Sequence, residues 1–434
     1  MLLIYSRKIT NRLRYIFEHI LKDMLGLDMR ITIDKEEFIA FEGAKLNYSS
    51  RQFDEELFFY ATPLLFERRI KQQRIKMSSY KDIPIFFISK NNSDLPFDPF
   101  AASFYLISRY EEYLTTTTDQ HDRYQAENSL AYQNDFLHLP VVDIWVQLLE
   151  KELEKRYKNL PIKKRKYTFI PTYDIDLAFA YKNKGILRNL GGYFVDLKRR
   201  NMDNMLQRFK VQIGQAVDPY DTFDWQIALH NKHNLKPIYF FLVGDYGQYD
   251  KNISILNLNY QRLIQSTGDF YEVGIHPSYE SNNKLHKLPD EIKNLSGVLK
   301  KQMEKSRQHF IKLKLPDTYQ NLIELDVRAD YTMGYPSQIG FRAGTASSFA
   351  FYDISLEIKT TLRVYPFMVM DVTLQQYLNL HPQKALEQVK GIIEQVKSVN
   401  GLFISLWHNH SLSNVHGWEG WRDMYEEMVS LALP

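Results

Sequence analysis

Cysteine is absent from the 434 residues, which excludes disulfides, thiolate metal sites and thiol nucleophiles. Carboxylates and imidazoles remain as the donors a metal could use. A dominant charge is also missing: 55 Lys+Arg against 52 Asp+Glu leave a net charge of +3, too balanced to argue for a nucleic-acid partner. No apolar run approaches the roughly 20 residues of a membrane span. The apolar patch at the start of MLLIYSRKITNRLRYIFEHILKDM is not followed by a run long enough for a signal peptide, so a cytoplasmic location is expected. Repeats and low-complexity blocks are lacking as well. Apolar residues at 44% are ample for a core, and 29 Tyr and 27 Phe serve packing first and sugar stacking second. The length is large for one core, and two domains are expected.

The richest stretch is YTFIPTYDIDL from Tyr167 to Leu177, an apolar run that ends in Asp174 and Asp176. On a strand, residues i and i+2 share a face, so the two carboxylates point into one site. Two anions held together require a cation or a shared proton, hence a metal site or an acid/base dyad. Further apolar runs end in His276 (EVGIHP), Asp371 (FMVMDV) and His408 and His410 (GLFISLWHNH). Carboxylates and imidazoles at the ends of successive strands describe an active site at the rim of a parallel α/β barrel.

Along the chain, the first segment reads as an amphipathic helix carrying Ile9, Leu13, Ile16, Ile20 and Met24 on one face. MRITID, EFIAFEG and IPIFFIS read as strands. A helix is expected from Asp98-Pro99, with Asp as N-cap, and another after Pro140. Between them, TTTTDQHDRYQAENS is polar and aperiodic, and residues 115–129 are expected to cover or extend the binding rim. The basic stretch KNLPIKKRK reads as a linker, which divides the chain into a smaller α/β domain over 1–162 and a second domain over 163–434. In the second part, strands alternate with helices, one of them predicted through LPDEIKNLSGVLKKQMEKSRQHF. His230 and His233 are placed on an exposed helix face.

With these residues in view, the region from about 165 to 434 resembles the NodB-type polysaccharide deacetylases, carbohydrate esterase family 4, in a divergent branch. The resemblance implies a distorted (β/α) barrel and removal of acetyl groups from a carbohydrate or glycoconjugate with one divalent metal ion, Zn or else Mn, Fe, Co or Ni. It implies Asp174 as the general base, Asp176 and His276 as metal ligands, and Arg307 as the residue that orients the base, with Arg342 in GFRAGT as the second candidate. Asp371 would tune the acid, and His408 would be that acid. Where the family has a second histidine four residues after the first, this chain has Glu280, which could ligate in its place, as could His410 or water. Arg342 and Trp407 are assigned to substrate binding. FDPFAASFYLISRYEEYL resembles the uncharacterised domain that often precedes this module in Bacteroidetes-type proteins.

The chemistry follows from the residue types. A metal on Asp176 and His276 would activate water and polarise an acyl carbonyl, Asp174 would take the proton, and His408, held protonated by Asp371, would return one to the leaving group. Two other readings compete: a hydrolase of another amide, such as a cyclic imide, and a non-catalytic glycan-binding or assembly protein. Glu280 in place of histidine favours the second of these.

Overall fold

A computed structural model describes residues 1–89, 92–115, 117–284 and 286–434. Residue 116 of the expected rim-covering loop thus lies outside the described residues. The chain is mixed α/β with two largely parallel sheets.

The first sheet is formed by β1 (Leu2–Ser6), β2 (Met29–Thr32), β3 (Ala44–Ser49) and β4 (Leu57–Tyr60) in the order β2-β1-β3-β4, all parallel. The opening apolar patch is therefore a central strand, and the helix begins later, at Asn11, capped by Thr10. EFIAFEG is not a strand. Asp34 accepts from the Glu36 and Glu37 amides and starts a helix over Lys35–Ala40, a cap that outweighs the alternating apolar pattern. IPIFFIS supplies only β6 (Ile83–Ile85), paired antiparallel with β5 (Ser78–Tyr80). The helix Pro99–Ile107 has the predicted Asp98 cap, whose buried carboxylate also receives the Tyr48 hydroxyl at 2.7 Å.

The large sheet contains β7 (Thr168–Ile175), β8 (Ile238–Phe241), β9 (Glu272–Ile275), β10 (Lys305–Ser306), β11 (Ala329–Asp330), β12 (Phe349–Asp353), β13 (Ile358–Val364), β14 (Val369–Met370) and β15 (Leu402–His408). Their order is β12-β13-β11-β10-β9-β8-β7-β15-β14, and only the β12–β13 pair is antiparallel. Strand pairing among the described residues does not close this sheet into the expected barrel. Its two ends are nevertheless joined by one extended run: the Phe367 amide donates to Met333 at 3.0 Å and the Met368 amide to Ile404 at 3.1 Å.

Alternation along the strands sorts the side chains. Ile238 and Phe240 of β8 and Ile404 and Leu406 of β15 share one buried cluster with Tyr331, Phe367 and Met370. Tyr239, Phe241, Phe403 and Trp407 point the other way, into a cluster with the surrounding helices. The sequence continues the first face into Thr172 and Asp174 of β7 and His408 of β15, so a polar group caps the apolar layer.

Residues before and after 162 share one core. Leu13, Ile16, Phe104 and Leu106 pack in the same cluster as Phe349, Tyr352, Leu362 and Val364. Buried Asp143 accepts from Thr345 Oγ1 at 2.7 Å and from the Ala346 amide at 2.8 Å.

Candidate metal centre and its neighbours

The polar residues meet at the carboxyl ends of the parallel strands. Asp174 is the penultimate residue of β7 and pairs in register with His408 on β15; Asp176 follows β7. His276 follows β9, Arg307 and His309 follow β10, and Asp371 follows β14. Asp176, His276 and His309 place one donor atom each within 4.8 Å of one another.

The trio gathers donor atoms that could hold a cation. His276 Nδ1 lies 2.5 Å from the Arg307 carbonyl, an acceptor only, so Nδ1 carries the proton. Its Nε2 faces Asp176 Oδ1 at 3.2 Å. His309 repeats the arrangement. Its Nδ1 lies 2.8 Å from the Asp250 carboxylate, and its Nε2 faces Asp176 Oδ2 at 3.4 Å. Asp176 Oδ1 is a buried oxygen with no hydrogen-bond partner, which costs about 1–3 kcal/mol or more if left so. Without an ion, burial opposes charge on His309, but Asp176 and Asp250 overcome it and push its pKa up to about 9. A divalent ion would replace that proton. One carboxylate and two imidazoles backed by a carboxylate and a carbonyl form a donor set that suits Zn, Fe, Co or Ni.

Two supported side chains flank the trio. Asp174 receives Arg307 Nη1 at 3.0 Å on Oδ1, while Oδ2 lies 3.7 Å from His276 Nε2. Arg307 is fully buried, fixed by Thr172 and the Tyr331 carbonyl, with its guanidinium 4.6 Å from the Phe240 ring. On the other side, His408 Nδ1 is 2.9 Å from Asp371, and its Nε2 is 3.5 Å from Asp176. Asp371 is itself fixed by the amides of Val372 and His408 and by the Ser411 hydroxyl. Burial opposes the charge, but Asp371 and Asp176 raise His408 to about 10, an imidazolium at neutral pH. The same burial and the nearby His408 charge lower His410 to about 4.

Five expectations fall elsewhere. Glu280 is 40% exposed and held by Lys284 at 3.0 Å and Lys287 at 2.9 Å, because Tyr279 to Asn283 turn outward in a short helical bend. It is outside the trio, whose third member is His309. His410 packs against Tyr220 and Trp418, outside the trio too. Arg342 grips Glu112 through two nitrogens at 3.0 and 2.8 Å and donates to the Gly334 carbonyl, so it ties the first part of the chain to the second. Trp407 is fully buried against Tyr425; as the neighbour of His408 on a strand it must face the opposite way. His230, expected in solvent, is buried against the Tyr173 hydroxyl at 2.7 Å, and burial lowers its pKa to about 3.

His309 and Asp250 were missed. His309 sits in SRQHF, read as the tail of a long helix, yet that helix ends at Leu299, followed by Lys300 at φ 55°. The overlooked signal is spacing: Arg307 and His309 are two apart on β10's exit, just as Asp174 and Asp176 are on β7's. Phe310, at φ 60°, turns the chain sharply after His309 and packs against its ring at 4.8 Å. The 115–129 segment reaches this point: Arg123 donates to the Phe310 carbonyl at 2.7 Å, and His121 Nδ1 lies 3.1 Å from the Tyr279 hydroxyl.

Residues 2–158 match DUF7033, a family of unknown function. No curated protein matches the chain. Among solved structures, a protein described as a polysaccharide deacetylase from Mycobacterium smegmatis is similar over 62% of this chain and 84% of its own, with 14% identity and a TM-score of 0.40. The polysaccharide deacetylase Bc1974 from Bacillus cereus is similar over 62% and 86%, at 10% identity and a TM-score of 0.29. A CE4 family pseudoenzyme from Bacillus anthracis is similar over 62% and 63%, at 10% identity and a TM-score of 0.29. These likenesses are loose, and the chemistry rests on the site. No helix among the described residues is long and apolar enough to cross a membrane.

Proposed function

We propose that the protein is a metal-dependent hydrolase that removes acetyl groups from a carbohydrate or glycoconjugate, on a distorted barrel of the NodB kind. The observation that carries the reading is that the two oxygens of Asp176 face Nε2 of His276 and Nε2 of His309, with Asp176 Oδ1 buried and without a hydrogen-bond partner. The sugar class comes from the motif resemblance. The joining of the large sheet's ends through residues 358–370 supports the barrel reading.

Asp176, His276 and His309 would hold the ion. When bound, it supplies Lewis acidity for the acyl carbonyl and lowers the pKa of water. Asp174 accepts a proton from the attacking water through Oδ2, since Arg307 holds Oδ1 and keeps the carboxylate oriented. His408 donates the proton that lets the amine or alkoxide leave, and Asp371 holds its ring in place. Amide or ester plus water thus gives acetate plus the free amine or hydroxyl, with the base and acid restored by net proton exchange. With His309 in the trio, Glu280 no longer weighs towards a non-catalytic protein.

The test is acetate release from acetylated chito-oligosaccharides and O-acetylated sugars by protein loaded with Zn, Co or Mn, beside Asp174→Asn and a chelated sample. Acetate from the loaded wild type alone supports the reading. Metal retention with no acetate, but turnover of a cyclic imide, would reassign the substrate to another amide.

A further inference from the structure

The helices Ile186–Lys198 and Met202–Gln212 form a hairpin that is inside out. Its seam is polar: Asp196 receives Arg208 at 3.0 and 2.8 Å and Asn204 at 2.6 Å, and the Tyr193 hydroxyl donates to Gln212 at 2.8 Å. Its apolar residues face water. Leu187, Leu190, Phe194 and Leu197 recur at helical spacing on the first helix, with Leu187 at 85% and Phe194 at 69% exposure. Leu206, Phe209 and Ile213 do the same on the second. A soluble helix pair normally buries these faces against each other, so each is left for something else to cover.

The exposed charge around these faces is predominantly basic. Lys198, Arg199, Arg200 and Lys210 are exposed, and Asp203 is the sole exposed acidic residue between 184 and 213. Arg188 extends the basic edge, its guanidinium 4.4 Å over exposed Tyr246. We propose that this hairpin is a peripheral docking surface for an anionic lipid bilayer. The apolar faces enter the boundary between headgroups and acyl chains while the lysines and arginines contact lipid phosphates. A second copy fits less well, because a two-fold contact through this patch would set the Lys198–Arg200 cluster against like charge. The hairpin follows the segment after Asp176 and is tied to it through Tyr181 and Asn204. On the deacetylase reading, docking would favour a glycan carried on the same membrane.

Co-sedimentation with vesicles tests this without any assay of activity. Wild-type protein is mixed with phosphatidylcholine vesicles, with or without phosphatidylglycerol, at low and high salt. The expected result is pelleting with the anionic vesicles only, weakened by salt. Leu187→Glu with Phe194→Glu, and separately Lys198→Glu with Arg199→Glu and Arg200→Glu, should each cut the bound fraction by about tenfold or more. Unchanged circular dichroism confirms that the variants fold. Wild type remaining in the supernatant overturns the proposal, as does equal pelleting with neutral vesicles. A dimer in light scattering that Leu187→Glu with Phe194→Glu dissociates, without vesicle binding, assigns the surface to a second copy instead.

Discussion

One carboxylate oxygen of Asp250 lies 2.8 Å from His309 Nδ1 and receives the Tyr279 amide at 2.9 Å. The amide fixes the carboxylate, the carboxylate fixes the ring, and the ring's Nε2 is thereby aimed at Asp176. Asp250→Asn should keep the fold but weaken metal binding by about 10- to 100-fold, the usual effect of losing a carboxylate behind a ligating histidine. Competitive titration against a chelator measures it, and unchanged affinity would show that His309 needs no such support.

His309→Ala should lower metal affinity far more than Glu280→Ala. The first removes one of three donors, whereas the second removes only surface contacts with Lys284 and Lys287. Exposed pairs of that kind contribute little to stability, so Glu280→Ala should also leave the melting temperature nearly unchanged. Metal content of the two purified variants separates the assignments; equal loss in both would restore Glu280 to the site.

Asp174→Asn should bind metal as wild type does and lose ~10²- to 10⁴-fold in turnover, the contribution of a general base. Arg307→Lys should lose activity and stability together. A lysine cannot make the three contacts to Asp174, Thr172 and the Tyr331 carbonyl from one buried planar group. Wild-type turnover by Asp174→Asn would move the base elsewhere.

Removal of residues 1–162 should give insoluble or unfolded protein. The deleted part buries Phe349, Tyr352, Leu362 and Val364, and it pairs Glu112 with Arg342, which is fully buried. Breaking a buried ion pair by removing one partner typically costs ~3–5 kcal/mol, before any loss of apolar burial is counted. A soluble, cooperatively melting 163–434 fragment would show that the second part closes its own core.

The sites that were legible in the sequence lie on strands long enough to show a pattern. β7 and β15 have eight and seven residues, and each carries an apolar run that stops at a polar residue. β10 has two residues, too few for any period, and the lysine- and glutamate-rich run before it has strong helical propensity. Arg307 was singled out there only through the motif resemblance, and His309 not at all. Trp407 shows the opposite error: aromatics near a site suggest sugar stacking, yet strand alternation already places residue 407 behind 408. The shared core was invisible for a different reason, since Arg342–Glu112 and Asp143–Thr345 join residues more than 200 apart.

His408 should set an alkaline limb on the rate. Its imidazolium is the proton donor, so activity must fall as pH rises through its pKa, which burial opposes but Asp371 and Asp176 raise to about 10. A cation bound to Asp176 offsets part of that carboxylate's charge, so the limb of the loaded enzyme should lie below 10 yet above the 6.5 of an ordinary histidine. Asp371→Asn removes the charge behind the ring and should move the limb to lower pH, and His408→Ala should abolish it together with most turnover. Stability follows the same sign. The raised pKa means that the His408–Asp371 interaction stabilises the fold fully below pH 6.5 and is lost as pH rises towards 10, so melting temperatures of wild type and His408→Ala should converge on that side. Rates across pH 6 to 11 for the three proteins check this, and an alkaline limb that persists in His408→Ala would place the acid on another residue.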